Sequence, residues 1–176
     1  KLEGIGWEKG FGFGQRTGFA VGLGLVTATV VTPVVMMLQG LLAKALTAEG
    51  EQPELQEVVK TIESTVQIEQ LFFYGLVAIV LAPVIEELLF RGIFYPAIKS
   101  RGRPKLALWG TSLMFALVHN NMLTFIPLTL LAVVLVKLYE RTGNLLAPIL
   151  AHCGFNTVNF VLLIYREEIM RWLKPD

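Results

Sequence analysis

The chain has 176 residues, of which 54% are hydrophobic and only 16% charged, with a mean hydropathy of +0.61; a soluble globule, with roughly 25% charged residues, does not have this composition. The net charge of +1, with no basic cluster interleaved with aromatics, sets nucleic acid aside as a partner. Cys153 is the single cysteine, which excludes an intramolecular disulfide and a Cys-rich metal framework, and it reads as a small apolar packing residue.

The first sixteen residues lack the apolar core of a cleavable signal peptide and begin at Lys1 rather than Met, so residues 1–16 read as the N-terminal tail of a fragment. Thr17 to Leu46 is a long apolar run broken only by Pro33 and small residues; as a helix it exceeds the roughly 30 Å hydrocarbon thickness and spans with tilt or a kink at Pro33. Thr47 to Gln70 carries Glu49, Glu51, Glu54, Glu57, Glu63 and Glu69 against Lys60 alone and lies outside the membrane. Within it Val58, Val59, Ile62 and Val66 recur at helical spacing, and without a cationic polar face they are expected to extend the next helix rather than lie on the bilayer.

Leu71 to Ile98 is the second long hydrophobic stretch, with Glu86, Glu87 and Arg91 near its middle. Lys99, Arg101, Arg103 and Lys105 form a basic loop around Pro104. Leu106 to Val118 is shorter than a span and ends at His119, as expected of a partial or re-entrant helix packed against protein. Met122 to Tyr139 and Leu145 to Tyr165 supply two further spans. The fold expected is an all-α polytopic transmembrane bundle: one membrane-embedded domain over 17–165, followed by a polar C-terminal tail over 166–176. If every hydrophobic element crosses, the basic loops share one side, which the positive-inside rule assigns to the cytoplasm.

Ionisable side chains at membrane depth each cost on the order of 2.5–3.5 kcal/mol on insertion scales, so Glu86, Glu87, Arg91, His119 and His152 demand a reason. Glu87 and Arg91 are four residues apart and pair on one helix face, whereas Glu86 points elsewhere in the bundle. Phe115 stands one turn before His119 and is placed to wall the same site. His152 and Asn156 repeat the four-residue spacing, with Asn159 beyond them, so the last span has a polar face; interhelical hydrogen bonding is the bland alternative. A carboxylate and an imidazole activate water, and a second imidazole with a carboxamide donates to an oxyanion. No Ser/His/Asp or Cys/His nucleophile surrounds them.

Glu86-Glu87-Leu88-Leu89-Phe90-Arg91-Gly92, Phe115-Ala116-Leu117-Val118-His119 and His152-Cys153-Gly154-Phe155-Asn156, in that order within apolar segments, resemble the three motifs of the CAAX prenyl protease and bacteriocin-processing family. The resemblance covers a core of residues 71–161. It implies a glutamate-dependent intramembrane endopeptidase without a cofactor, in which Glu86 activates water with the help of His119 while His152 and Asn156 stabilise the oxyanion; Glu87, Arg91 and Phe115 support the site. The implied partners are membrane lipids and a membrane-proximal or prenylated peptide. A zinc peptidase is the first alternative, although the compact His-Glu-x-x-His helix is absent and an amide such as Asn156 is a poor zinc ligand. A non-catalytic membrane scaffold or immunity protein is the second, and a proton-coupled transporter the third.

Overall fold

The computed structural model describes residues 10–46, 61, 62, 65 and 67–173. Helix α1, Thr17–Leu46, keeps Pro33 inside it and leaves apolar side chains such as Val26, Val30 and Met37 largely exposed. That pattern is inverted for water and natural for a lipid-facing helix. Helix α2 is a continuous rod over Ile68–Lys99, which includes two π-wound stretches at Val77–Leu81 and Leu88–Phe94. It is followed by α3, Pro104–Leu117, α4, Met122–Thr142, and α5, Leu146–Ile164; a short amphipathic α6, Arg166–Leu173, turns the first part of the C-terminal tail into helix. By length and composition, α1, α2, α4 and α5 are each able to cross a bilayer, and the chain is a multi-pass integral membrane protein.

The expected backward extension of α2 stops at Gln67, whose extended backbone caps the helix; Thr61 and Ile62 are helical separately, and Val58, Val59 and Val66 lie outside the described residues. The short third element is confirmed as a 14-residue helix, about 21 Å long. It starts beside the basic loop and hands over to α4 through a tight link in which Asn120 takes a left-handed φ of 47° and the Asn121 side chain accepts from the Thr124 N–H at 3.1 Å, capping α4. Helix α4 then runs back and stops at Gly143, whose φ of 61° supplies the left-handed C-cap.

Helix α5 packs along α1 and also touches α2 and α4, while α3 sits between α2 and α4. The α1–α5 seam is made of small residues. A Cβ on Gly24 would stand 2.7 Å from the Ala147 carbonyl oxygen, and one on Gly154 would stand 2.7 Å from the Ala28 Cβ, so the two backbones approach as closely as van der Waals packing in lipid requires. Residues from all four long helices meet in the apolar core, which includes Val35, Phe90, Phe115, Leu131, Leu135 and Phe155.

One end of the bundle carries a basic cluster bound to a single carboxylate. Lys99 at the end of α2 and Lys137 on α4 both bind Glu140, at 2.6 and 2.9 Å, and the Tyr95 hydroxyl donates to the same carboxylate. The segment before α1 is docked at this end too. The Asn144 amide donates to the Gln15 carbonyl at 2.8 Å, and the Phe11 carbonyl accepts from the Leu145 N–H at 3.1 Å. The Phe11 ring lies over Gly92, where a Cβ would come within 2.7 Å of it.

The two π-wound stretches determine which residues share a face. An α-turn holds 3.6 residues, so side chains spaced by four drift steadily around the axis; the wider π-turn offsets that drift. Two four-residue ladders result. Tyr74, Ala78, Ala82 and Glu86 face one internal cavity, while Glu87, Arg91, Tyr95 and Lys99 bond to α4 or α5.

Candidate active site

The adjacent glutamates part company at once. Glu87 is fully buried, and its Oε1 accepts from Arg91 Nη1 at 2.8 Å and from His152 Nδ1 at 3.0 Å. Arg91, also buried, spends Nη2 on the Ala132 carbonyl at 3.0 Å and lies over the Phe115 ring at 4.9 Å from its centroid. A buried charge is tolerable only when paired and hydrogen-bonded, and this guanidinium has a carboxylate, a carbonyl and an aromatic face. The pairing read from the sequence is present.

Glu86 keeps 27% of its side-chain exposure and faces the cavity, with Oε2 3.7 Å from His152 Nε2. That separation exceeds a direct hydrogen bond and leaves room for adjustment around a bound group. His152 therefore stands between the two carboxylates. Because an ionised carboxylate only accepts, Nδ1 carries the hydrogen shared with Glu87, and this bond aims Nε2 toward Glu86 and the cavity.

His119 is fixed in the same manner from another element. Its Nδ1 lies 2.8 Å from the Phe115 carbonyl oxygen, and since a carbonyl cannot donate, Nδ1 is the N–H and Nε2 is the free nitrogen of the neutral ring. Phe115 is the hub behind the site. Its ring is 5.0 Å from the His119 ring, 5.5 Å from that of His152 and 5.3 Å from that of Phe90, centroid to centroid, contacts in the range favoured by aromatic pairs. Phe115 packs behind both imidazoles and is not itself among the residues that line the cavity.

Asn156 also lines the cavity, but its amide Nδ2 donates to the Ala78 carbonyl at 2.7 Å. Ala78 lies in the first π-wound stretch of α2, so Asn156 ties α5 to the place where α2 departs from regular winding. One amide hydrogen is used there and the other remains. Asn159 donates back to the Phe155 carbonyl at 2.8 Å, within its own helix, rather than to a neighbour.

The cavity has a volume of about 690 Å³ and is lined by α1, α2, α4, α5 and the α3–α4 link. Glu86, His119, His152 and Asn156 all border it, as do Gln39 of α1, Tyr74, Asn121 and Asn159. Gln39 escapes sequence reasoning because a lone amide in an apolar run looks like packing. Asn144, fully buried, is also missed: its Oδ1 accepts from the Leu146 N–H at 2.9 Å and sets the start of α5. Gly143-Asn144 after a charged helix end was its visible signal. Among the described residues, no three His, Cys, Asp or Glu side chains form a group placed to hold a metal ion.

A bundle of membrane-spanning helices with a Glu/His cluster and a cavity at its interior belongs to a small set of polytopic membrane proteins with internal polar sites. Residues 68–158 match the family described as type II CAAX prenyl endopeptidase Rce1-like, and the chain belongs to that family. The matched segment holds all seven candidate site residues. Among curated proteins it is similar to "Putative membrane peptidase YdiL" of Bacillus subtilis (strain 168), 28% identical over 101 residues, covering 57% of this chain and 41% of the relative. It is also similar to "Uncharacterized protein YpbD" of the same organism, 36% identical over 90 residues, covering 49% of this chain and 43% of the relative. The chain thus matches less than half the length of these curated relatives. No solved structure matches it.

Proposed function

We propose that the chain is the catalytic part of an intramembrane endopeptidase that hydrolyses a peptide bond of a membrane-associated or lipid-bearing peptide. The observation that carries this reading is the convergence of Glu86, His119, His152 and Asn156, from three separate sequence motifs, on one cavity. Family membership supports the reaction class.

In the proposed mechanism a water molecule sits between Glu86 and the substrate carbonyl. Glu86 takes a proton as the water oxygen bonds to the carbonyl carbon, and the carbonyl π-electrons move onto oxygen. The oxyanion electrons then re-form the C=O bond, and the C–N bond breaks as Glu86 passes its proton to the departing amine. His119 Nε2, free because Nδ1 is committed to Phe115, assists the transfer. The oxyanion is held by His152 Nε2 and by the second Asn156 amide hydrogen. Since His152 Nδ1 already donates to Glu87, Nε2 donates to the oxyanion from a ring that carries both hydrogens and stands between Glu86 and Glu87. Glu87 and Arg91 act through His152 and do not touch the reacting atoms.

The test is turnover of a quenched peptide library, with and without a prenylated cysteine, by the purified protein and its Glu86→Gln variant. Cleavage lost in the variant supports the reading. Equal cleavage by both removes Glu86 from the chemistry.

A further inference from the structure

Gln39 is a polar residue of α1 that the proposed chemistry leaves unused. It lines the cavity together with Met36, Gly40 and Ala43, a spacing that puts all four on one stripe of the helix. Earlier in α1 the hydroxyls of Thr27 and Thr29 donate back to the Leu23 and Leu25 carbonyls and are satisfied within the helix. Gln39 has no such bond: among the described residues none accepts from or donates to its carboxamide. A carboxamide in an apolar span ordinarily hydrogen-bonds across to another helix, and one left unbonded away from water is costly. Gln39 also lies outside the matched segment, residues 68–158, so the family match does not account for it.

Helices α1 and α2 each pack on α5, and their stripes bound the cavity from two sides, Gln39 on one and Ala78, Ala82 and Glu86 on the other. Apart from Gln39 and Glu86 the walls there are low. A Cβ added to Gly40 would meet no described atom within 4 Å, and Ala43, Ala78 and Ala82 project a single methyl group each. Low walls let an extended main chain come within reach of the longer polar side chains. A glutamine carboxamide carries a carbonyl acceptor and an N–H donor side by side, which is the complement of the N–H and C=O of a peptide group.

We infer that Gln39 is a substrate-binding residue whose carboxamide pairs with one peptide group of an extended segment next to the scissile bond, accepting from its N–H and donating to its C=O. Recognition of this kind reads main chain rather than side chains. The substrate class is therefore a segment with free peptide groups; a helical segment, whose N–H and C=O groups are already bonded to one another, must unwind before it is held. The inference rests on the peptidase reading for the reaction and on the cavity alone for the binding.

The probe is the tightest-binding member of a fluorophore-labelled peptide library, with analogues N-methylated at one peptide bond each, which removes one donor and leaves the side chains unchanged. Binding is read by fluorescence anisotropy on the full chain carrying Glu86→Gln, and turnover on the chain that retains Glu86. Gln39→Met is close to isosteric, apolar and a good helix former, so its melting temperature is expected to match the parent. It is expected to weaken binding and raise KM by about tenfold while kcat changes by less than about twofold. One N-methyl analogue is expected to bind about tenfold more weakly when Gln39 is present and no more weakly in Gln39→Met, because the group it addresses has gone. Equal binding with and without Gln39, no measurable binding, or equal losses on N-methylation in both chains overturns the inference. A lower melting temperature with kcat and KM impaired together marks a structural role and overturns it as well. Absence of cleavage by the Glu86 chain, with the Gln39-dependent binding intact, overturns the peptidase reading and supports the binding role.

Discussion

His152 places its Nδ1 3.0 Å from Glu87 Oε1 across 65 positions of sequence, and this contact joins α2 to α5 at the depth of the site. The same oxygen binds Arg91. Removing the Glu87 charge leaves Arg91 uncompensated in a dry interior, a loss of about 3–5 kcal/mol for a broken buried pair. Glu87→Gln is therefore expected to lower the melting temperature and the activity together, and Glu87→Asp to restore part of both. Thermal melts in a single detergent check this; an unchanged melting temperature in Glu87→Gln contradicts the structural role.

Asn156 is expected to serve two partners, the Ala78 carbonyl and the oxyanion. Asn156→Asp keeps the shape but turns a donor into an acceptor facing a carbonyl oxygen. It is expected to reduce kcat by about 10²–10³-fold, as for loss of an oxyanion donor. Loss of the bond to Ala78 is expected to cost stability by about 1 kcal/mol. Steady-state kinetics and melts separate the two effects. A variant with unaltered kcat removes Asn156 from the chemistry and leaves it as a clasp on α2.

The α1–α5 seam provides a test far from the glutamates. Gly154→Leu must push a side chain into Ala28, whose Cβ is already 2.7 Å from the position of the added carbon. Overpacking of this kind costs about 1–3 kcal/mol. The expected result is a lower melting temperature, rescued in part by Ala28→Gly in the same chain. Melts of the single and double variants decide it; no rescue would show that the two helices do not meet there.

Much of this architecture is legible in the sequence because the membrane simplifies it. Hydropathy alone marks the four long helices, and the Glu87–Arg91 spacing states their pairing. Hydropathy carries no trace of the π-wound stretches of α2, of which the first packs against α5 and the second against α3. His152 bonding to Glu87 was equally hidden, since spacing within one helix cannot reveal which partner a second helix brings. The segment before α1 read as a tail because Phe11 and Gln15 have no apolar periodicity, yet their carbonyls satisfy the Leu145 N–H and the Asn144 amide. The C-terminal stretch read as polar because its charges outweigh Ile169 and Trp172 in composition, although their spacing permits an amphipathic helix.

The proposed chemistry needs no Lewis acid, since Glu86 and His119 activate the water and His152 with Asn156 receive the oxyanion. Turnover is accordingly expected to persist after exhaustive chelation and to show no dependence on added zinc. Metal analysis of active enzyme alongside the assay provides the check. Stoichiometric zinc lost together with activity, and restoring it on return, would replace this mechanism by a metallopeptidase one.

The most direct measurement of the central claim compares Glu86→Gln with the parent chain for peptide turnover and melting temperature in the same detergent. Glu86 is partly exposed to the cavity and, among the described residues, its nearest ionisable partner is His152 at 3.7 Å, beyond hydrogen-bond distance, so the amide is expected to leave the melting temperature nearly unchanged. Loss of the general base is expected to reduce turnover by at least about 10²-fold. A fully active Glu86→Gln enzyme would contradict the account, however stable it proved to be.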